Sequence, residues 1–139
     1  MEPIVCQKIP TVETYLALRK AGGMGSYSEE SARAGLPNSL FSVVMEIDGK
    51  AVGMGRLVGD GGLFVQVTDI VVVPEHQGQS LAKRIMSELM NWITENLPAG
   101  AYVNLLADVP ANKLYEKYGF KETAPKTIGM AMRSEASNR

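Results

Sequence analysis

Residues 63–73 read Leu-Phe-Val-Gln-Val-Thr-Asp-Ile-Val-Val-Val, a Val-rich run that suits a strand buried on both faces and that Pro74 brings to an end. From Gly78 the period changes. Leu81, Ile85, Leu89, Ile93 and Leu97 fall on every fourth position, with Lys83, Arg84, Ser87, Glu88 and Asn91 on the opposite side, so one long amphipathic helix is predicted up to the stop at Pro98 and Gly100. A further β-rich stretch follows at 102–107. Strand, helix and strand in that order form a right-handed crossover, which places residues 102–107 parallel to 63–73 in one sheet.

The remaining segments arrange themselves around that unit. Residues 4–8 suit a short strand, and a helix is predicted from Val12 to the Gly22-Gly23 pair. Residues 22–36 are rich in Gly and Ser, with a second helix starting near Ser28, where Glu29 and Glu30 suit a first turn. Strands at 40–47 and 50–58 flank Asp48-Gly49, a two-residue hairpin signal, and Gly61-Gly62 turns the chain into the Val-rich run. Downstream, a short helix over 111–118 and two strands at 120–123 and 128–133 complete the order βα(α)βββαβαββ. The fold class is α/β, a mixed β-sheet flanked by helices, with one domain over residues 1–133 and a flexible polar tail at 134–139.

Composition narrows the function. Fourteen Lys plus Arg against fifteen Asp plus Glu leave a net charge of −1, which gives no general attraction to nucleic acid or to an anionic membrane surface. An anionic ligand has to be bound locally. Cys6 and His76 are the only residues of their kinds, so no metal site of clustered Cys and His is expected, and a hydrolytic triad would rest on His76 alone. The single cysteine, together with a start that lacks a signal-peptide pattern, gives the expectation of a cytoplasmic protein.

The junction between the Val-rich strand and the long helix concentrates backbone donors. The first N–H groups of a helix lack intrahelical partners and sit at the positive end of its dipole, and small residues such as Gly78, Ser80 and Ala82 let a phosphate approach closely. A plainer reading has Gly78 making a tight turn and Ser80 capping the helix. Gln77-Gly78-Gln79-Ser80-Leu81-Ala82 resembles the Gln/Arg-x-x-Gly-x-Gly/Ala pyrophosphate loop of the GCN5-related N-acetyltransferases, and Asn112-Lys113-Leu114-Tyr115-Glu116-Lys117-Tyr118-Gly119-Phe120 resembles that family's C-terminal segment, in which an Asn precedes Tyr-x-x-x-Gly-Phe. The resemblance spans roughly residues 40–120, most of the chain. One departure stands out: Ser80 occupies a position usually held by glycine, which a helical φ there would tolerate.

The resemblance implies acetyl-CoA as co-substrate, with no metal. Its diphosphate would lie on Gln77, Gly78, Gln79, Ser80, Leu81 and Ala82, and its pantetheine arm beside Ile70, Val71 and Val72, with Asn112 contacting that arm or positioning its own helix. Tyr115 matches the tyrosine that commonly gives a proton to the departing thiolate or positions the thiol, which also makes it a cofactor-binding residue; otherwise it packs on the core. Attack requires a neutral amine, and a Lys-like amine is neutral in roughly one molecule in 2,000 at pH 7, so a base is useful. Asp69, a carboxylate inside the Val-rich run, is the candidate, with a structural carboxylate hydrogen-bonded to backbone as the competing reading. The implied activity is transfer of acetyl to a primary amine of a small molecule, such as an aminosugar, amino acid or polyamine, in a ternary complex. The acceptor would lie against residues 22–36 and the hairpin of the strands at 40–47 and 50–58. A non-catalytic acyl-CoA-binding module of the same fold is the alternative, and a homodimer is compatible with the resemblance although the sequence itself is silent on it. A P-loop nucleotide binder is disfavoured because Ala82-Lys83-Arg84 replaces the Gly-Lys-Ser/Thr ending.

Overall fold

A computed structural model describes residues 2–135. The chain divides after Leu105 into two compact units. The first contains β1 (Ile4–Cys6), α1 (Val12–Ala21), α2 (Glu29–Gly35), β2 (Phe41–Ile47), β3 (Lys50–Gly59), β4 (Phe64–Val72), α3 (Leu81–Asn96) and β5 (Tyr102–Asn104). Its strands form one five-stranded sheet in the order β1-β2-β3-β4-β5, antiparallel up to β4 and parallel between β4 and β5. This is the mixed sheet of the sequence reading, crossover included.

Local chemistry sets the element ends. Thr11 caps α1 by accepting from the Thr14 N–H at 3.1 Å, and Ser28 caps α2 by accepting from Ser31 at 3.0 Å. Asp48 and Gly49 both have positive φ, 53° and 76°, as a type I′ hairpin turn requires. The amphipathic face of α3 supplies Leu81, Ile85, Met86 and Leu89 to the core, and Trp92 stacks on Phe41 of β2 with ring centroids 5.4 Å apart. Gly55 of β3 lets that helix come close, since a Cβ there would stand 2.5 Å from Ile85 Cγ2.

The β3–β4 ladder is irregular where it matters for the site. Met54 pairs with Val71 and Arg56 with Thr68, so Asp69 and Ile70 together face Gly55 alone, and Asp69 takes φ +59°. Such a bulge bends a strand and redirects a side chain.

Several boundaries differ from the sequence reading. β4 is not buried evenly on both faces: it alternates from Val65 to Val71, with Gln66, Thr68 and Ile70 only partly covered, because helical cover on its second face is incomplete. β5 spans Tyr102–Asn104 rather than 102–107. In the second unit α4 covers Asn112–Glu116, and no strand forms at 120–123 or 128–133 among the described residues. Ile128, Met130 and Met132 alternate as a strand would, yet they are 72%, 87% and 85% exposed. Alternation shows that a segment suits a pleated face; it does not supply the neighbouring edge that a ladder needs. Most of the expected 134–139 tail lies outside the described residues.

Candidate active site

The turn after β4 is held from below. Gln77 Nε2 donates to the Val72 carbonyl at 3.0 Å, and the Gln77 N–H to Pro74 at 3.3 Å, so the loop is tied to the end of the strand. Beyond that tie, the main-chain N–H groups of Gly78, Gln79, Ser80, Leu81 and Ala82 find no acceptor among the described residues. Gly78, Gln79 and Ser80 are exposed. Consecutive unclaimed donors at the start of a long helix are the kind of feature that favours an anion.

Ser80 departs from expectation. It has φ +64° and ψ 19°, left-handed rather than helical, and its hydroxyl makes no capping bond. A serine there carries backbone strain on the order of 1–2 kcal/mol and returns nothing through its side chain. Ser80→Gly is therefore expected to raise folding stability by about 1 kcal/mol, read as a higher urea midpoint at unchanged slope; a lower midpoint would contradict the strain.

Along β4 the sheet opens. Pairing with β5 ends at Gln66 and Asn104, so residues 67–72 have no strand on that side among the described residues, and Ile70, Val71 and Val72 lie in this stretch. Asn104 Nδ2, at the last paired position, is buried without a partner, while its Oδ1 accepts from Gln66 at 3.1 Å. An open strand edge next to an unspent amide donor suits an extended ligand with its own amide groups.

Asp69 heads a buried network rather than bonding to backbone. Its Oδ1 accepts from Arg19 Nη1 at 2.5 Å; its Oδ2 accepts from Arg56 Nε at 2.6 Å and from the Tyr15 hydroxyl at 2.9 Å. Arg19 also donates to the Gly25 carbonyl from Nε and Nη2, and its guanidinium lies 4.7 Å from the Tyr27 ring centroid. The sequence reading missed these partners. A lone Arg inside an apolar strand, and Tyr15 and Arg19 one helical turn apart, were the available signals. Beside the network lies a cavity of about 150 Å³ lined by Tyr15, Arg56 and, from the 22–36 region, Tyr27, Ser31, Ala32, Gly35 and Leu36.

Burial first, and the Asp69 carboxylate second, push the Tyr15 phenol up to about 12. The unfolded phenol ionises near pH 10, before the folded one, so this stability is intact below pH ~10 and is lost as pH rises through 12. Unfolding midpoints measured from pH 9 to 12 should fall more steeply for the native chain than for Tyr15→Phe. Parallel curves would refute this.

In the second unit, Tyr115 lies on α4, and burial, with the Asp108 charge as a lesser cause, raises its phenol, which stays protonated at neutral pH. Asn112 Oδ1 is buried without a hydrogen-bond partner among the described residues. Among the described residues no cluster of three His, Cys, Asp or Glu side chains is placed to hold a metal, and no helix is long and apolar enough to cross a membrane.

A mixed sheet with a donor-lined turn between β4 and α3, and an open strand edge leading to it, defines the class: an α/β fold built around a strand–turn–helix junction. The chain belongs to the acetyltransferase (GNAT) family, whose domain matches residues 38–122. A protein of unknown function from meticillin-resistant Staphylococcus aureus, designated a probable acetyltransferase, is 42% identical and superposes with a TM-score of 0.91 over 96% of this chain and 100% of its own. The catalytic subunit of the N-terminal acetyltransferase B complex of Arabidopsis thaliana is 35% identical over 48% of this chain and 40% of its own length. The chloroplastic GCN5-related N-acetyltransferase 2 of the same plant is 28% identical over 58% of this chain. The match spans only 31% of that second plant protein.

Proposed function

We propose that the chain is an acetyl-CoA-dependent N-acetyltransferase that acts on a primary amine of a small molecule by direct attack in a ternary complex. The observation that carries this reading is the run of unclaimed main-chain donors from Gly78 to Ala82 at the end of the open β4 edge. Gln77 fixes that turn, Gly78, Gln79, Ser80, Leu81 and Ala82 hold the diphosphate, and Ile70, Val71 and Val72 accompany the pantetheine arm. Asn112 offers it an acceptor. The orphaned Asn104 amide nitrogen suits a ligand that brings its own amide groups.

Acetyl-CoA supplies an activated acetyl thioester. As the amine nitrogen bonds to the carbonyl carbon and the C–S bond breaks, Tyr115 gives its proton to the departing sulfur. The amine's proton leaves to the Asp69 carboxylate or to water. The engagement of both Asp69 oxygens by three donors favours water, with Asp69 as a positioning residue. Cys6 lies on β1 at the far edge of the sheet and no acyl-enzyme is invoked.

The test is thiol release from acetyl-CoA across a panel of primary amines, with acetyl-CoA binding measured calorimetrically on the same preparation. Amine-dependent thiol release supports the reading. Tight acetyl-CoA binding with no amine consumed would identify a binding module instead.

A further inference from the structure

The buried network beside the cavity is electrically unbalanced: Arg19 and Arg56 share the single carboxylate of Asp69. Arg19 is otherwise satisfied, by the Gly25 carbonyl and the Tyr27 ring. Arg56 is not. Its Nε is spent on Asp69 and its Nη1 on Ser39 Oγ at 3.1 Å, but its Nη2 has no acceptor among the described residues, although the side chain is only 18% exposed. Arg56 lines the cavity, and no Asp or Glu does. A largely buried guanidinium with half a counterion is costly unless something else completes its pairing.

We propose that this cavity receives the acceptor and that the acceptor is an amine bearing an anionic group, a carboxylate or a phosphate, which the free edge of Arg56 holds. This deepens the N-acetyltransferase reading and rests on it. A planar guanidinium with unspent N–H donors pairs with either oxyanion. The Tyr15 and Tyr27 rings give the cavity apolar walls, and Ser31 adds a hydroxyl. An acceptor carrying several positive charges and no anion, such as a polyamine, would meet the uncompensated cation and be rejected. The balanced net charge of the chain is no guide here, because the selectivity comes from one local excess charge.

Matched acceptor pairs test this on the full chain: an amino acid against its carboxamide, and a phosphorylated aminosugar against the unphosphorylated sugar. The first pair reports carboxylate recognition and the second phosphate. In at least one pair, kcat/KM is expected to favour the anionic member on the order of 10- to 100-fold. Arg56→Gln should bring that ratio to within about threefold, Arg56→Lys should retain part of it, and acetyl-CoA affinity should change little in both. Neutral and anionic members used equally by the native chain would overturn the proposal, as would a ratio that survives Arg56→Gln. If Arg56→Gln does not fold, the native ratios and Arg56→Lys still decide.

A second readout needs no turnover. With coenzyme A present, an N-acetyl amino acid should bind more tightly than its amide, measured calorimetrically, by a similar factor. Absence of that preference overturns the anion site. Its presence with no thiol release from any amine would leave the anion site standing and remove the transferase reading.

Discussion

Replacing Asp69 with Asn is expected to cost on the order of 3–5 kcal/mol of folding stability, because it leaves two guanidiniums facing a neutral amide. Asp69 and Arg19 are 5% and 7% exposed, so water cannot take over the lost charge. Asn fits the left-handed backbone at this position and matches the carboxylate in size, which makes the charge the variable. Urea denaturation reads the loss, and a change below about 1 kcal/mol, the worth of an exposed ion pair, would contradict the network's place in the fold. Under conditions where the variant is folded, its kinetics separate the two proton routes. With Asp69 as a positioning residue, the acceptor KM should rise more than kcat falls. A kcat loss on the order of 100-fold or more at unchanged KM would make the carboxylate the base.

Tyr115→Phe is expected to lower kcat on the order of 100-fold, the lower end of what a positioned general acid contributes, while acetyl-CoA affinity stays nearly constant. The raised phenol keeps its proton through the neutral range, so the donor is always loaded. Giving that proton to a thiolate whose conjugate acid lies near ~8.5 is uphill in water, which ties the transfer to the moment of C–S cleavage. Pre-steady-state thiol release on both proteins checks this. Equal rates would reduce Tyr115 to packing on its helix.

The parts of this protein legible in its sequence are those fixed by short-range rules. The fourfold spacing from Leu81 to Leu97 fixes α3, and Asp48-Gly49 fixes the β2–β3 hairpin, because periodicity and turn chemistry act within a few residues. The strand–turn–helix junction at 77–82 is legible for the same reason, because Pro74 ends the Val-rich run and the helical period begins at Leu81. The left-handed φ of Ser80 was not visible, since it depends on the direction in which β4 delivers the chain to α3. Asp69 stood out as a charge in an apolar run, but Arg19 and Arg56, 50 and 13 residues away, could be assigned to it only by the fold. The two last strands fail differently: the alternation at 128–133 is real, whereas Phe-Lys-Glu-Thr at 120–123 has none, and the edge either would pair with is a property of the tertiary structure.

The claim on which all of this turns is that the backbone amides of residues 78–82 grip the diphosphate of coenzyme A. Amide chemical shifts of the labelled full chain, followed while coenzyme A is added, test it directly. The largest saturable changes are expected at Gly78, Gln79, Ser80, Leu81 and Ala82, with smaller ones along Ile70 to Val72. Binding that leaves those five amides unmoved, or no binding at all, would contradict it.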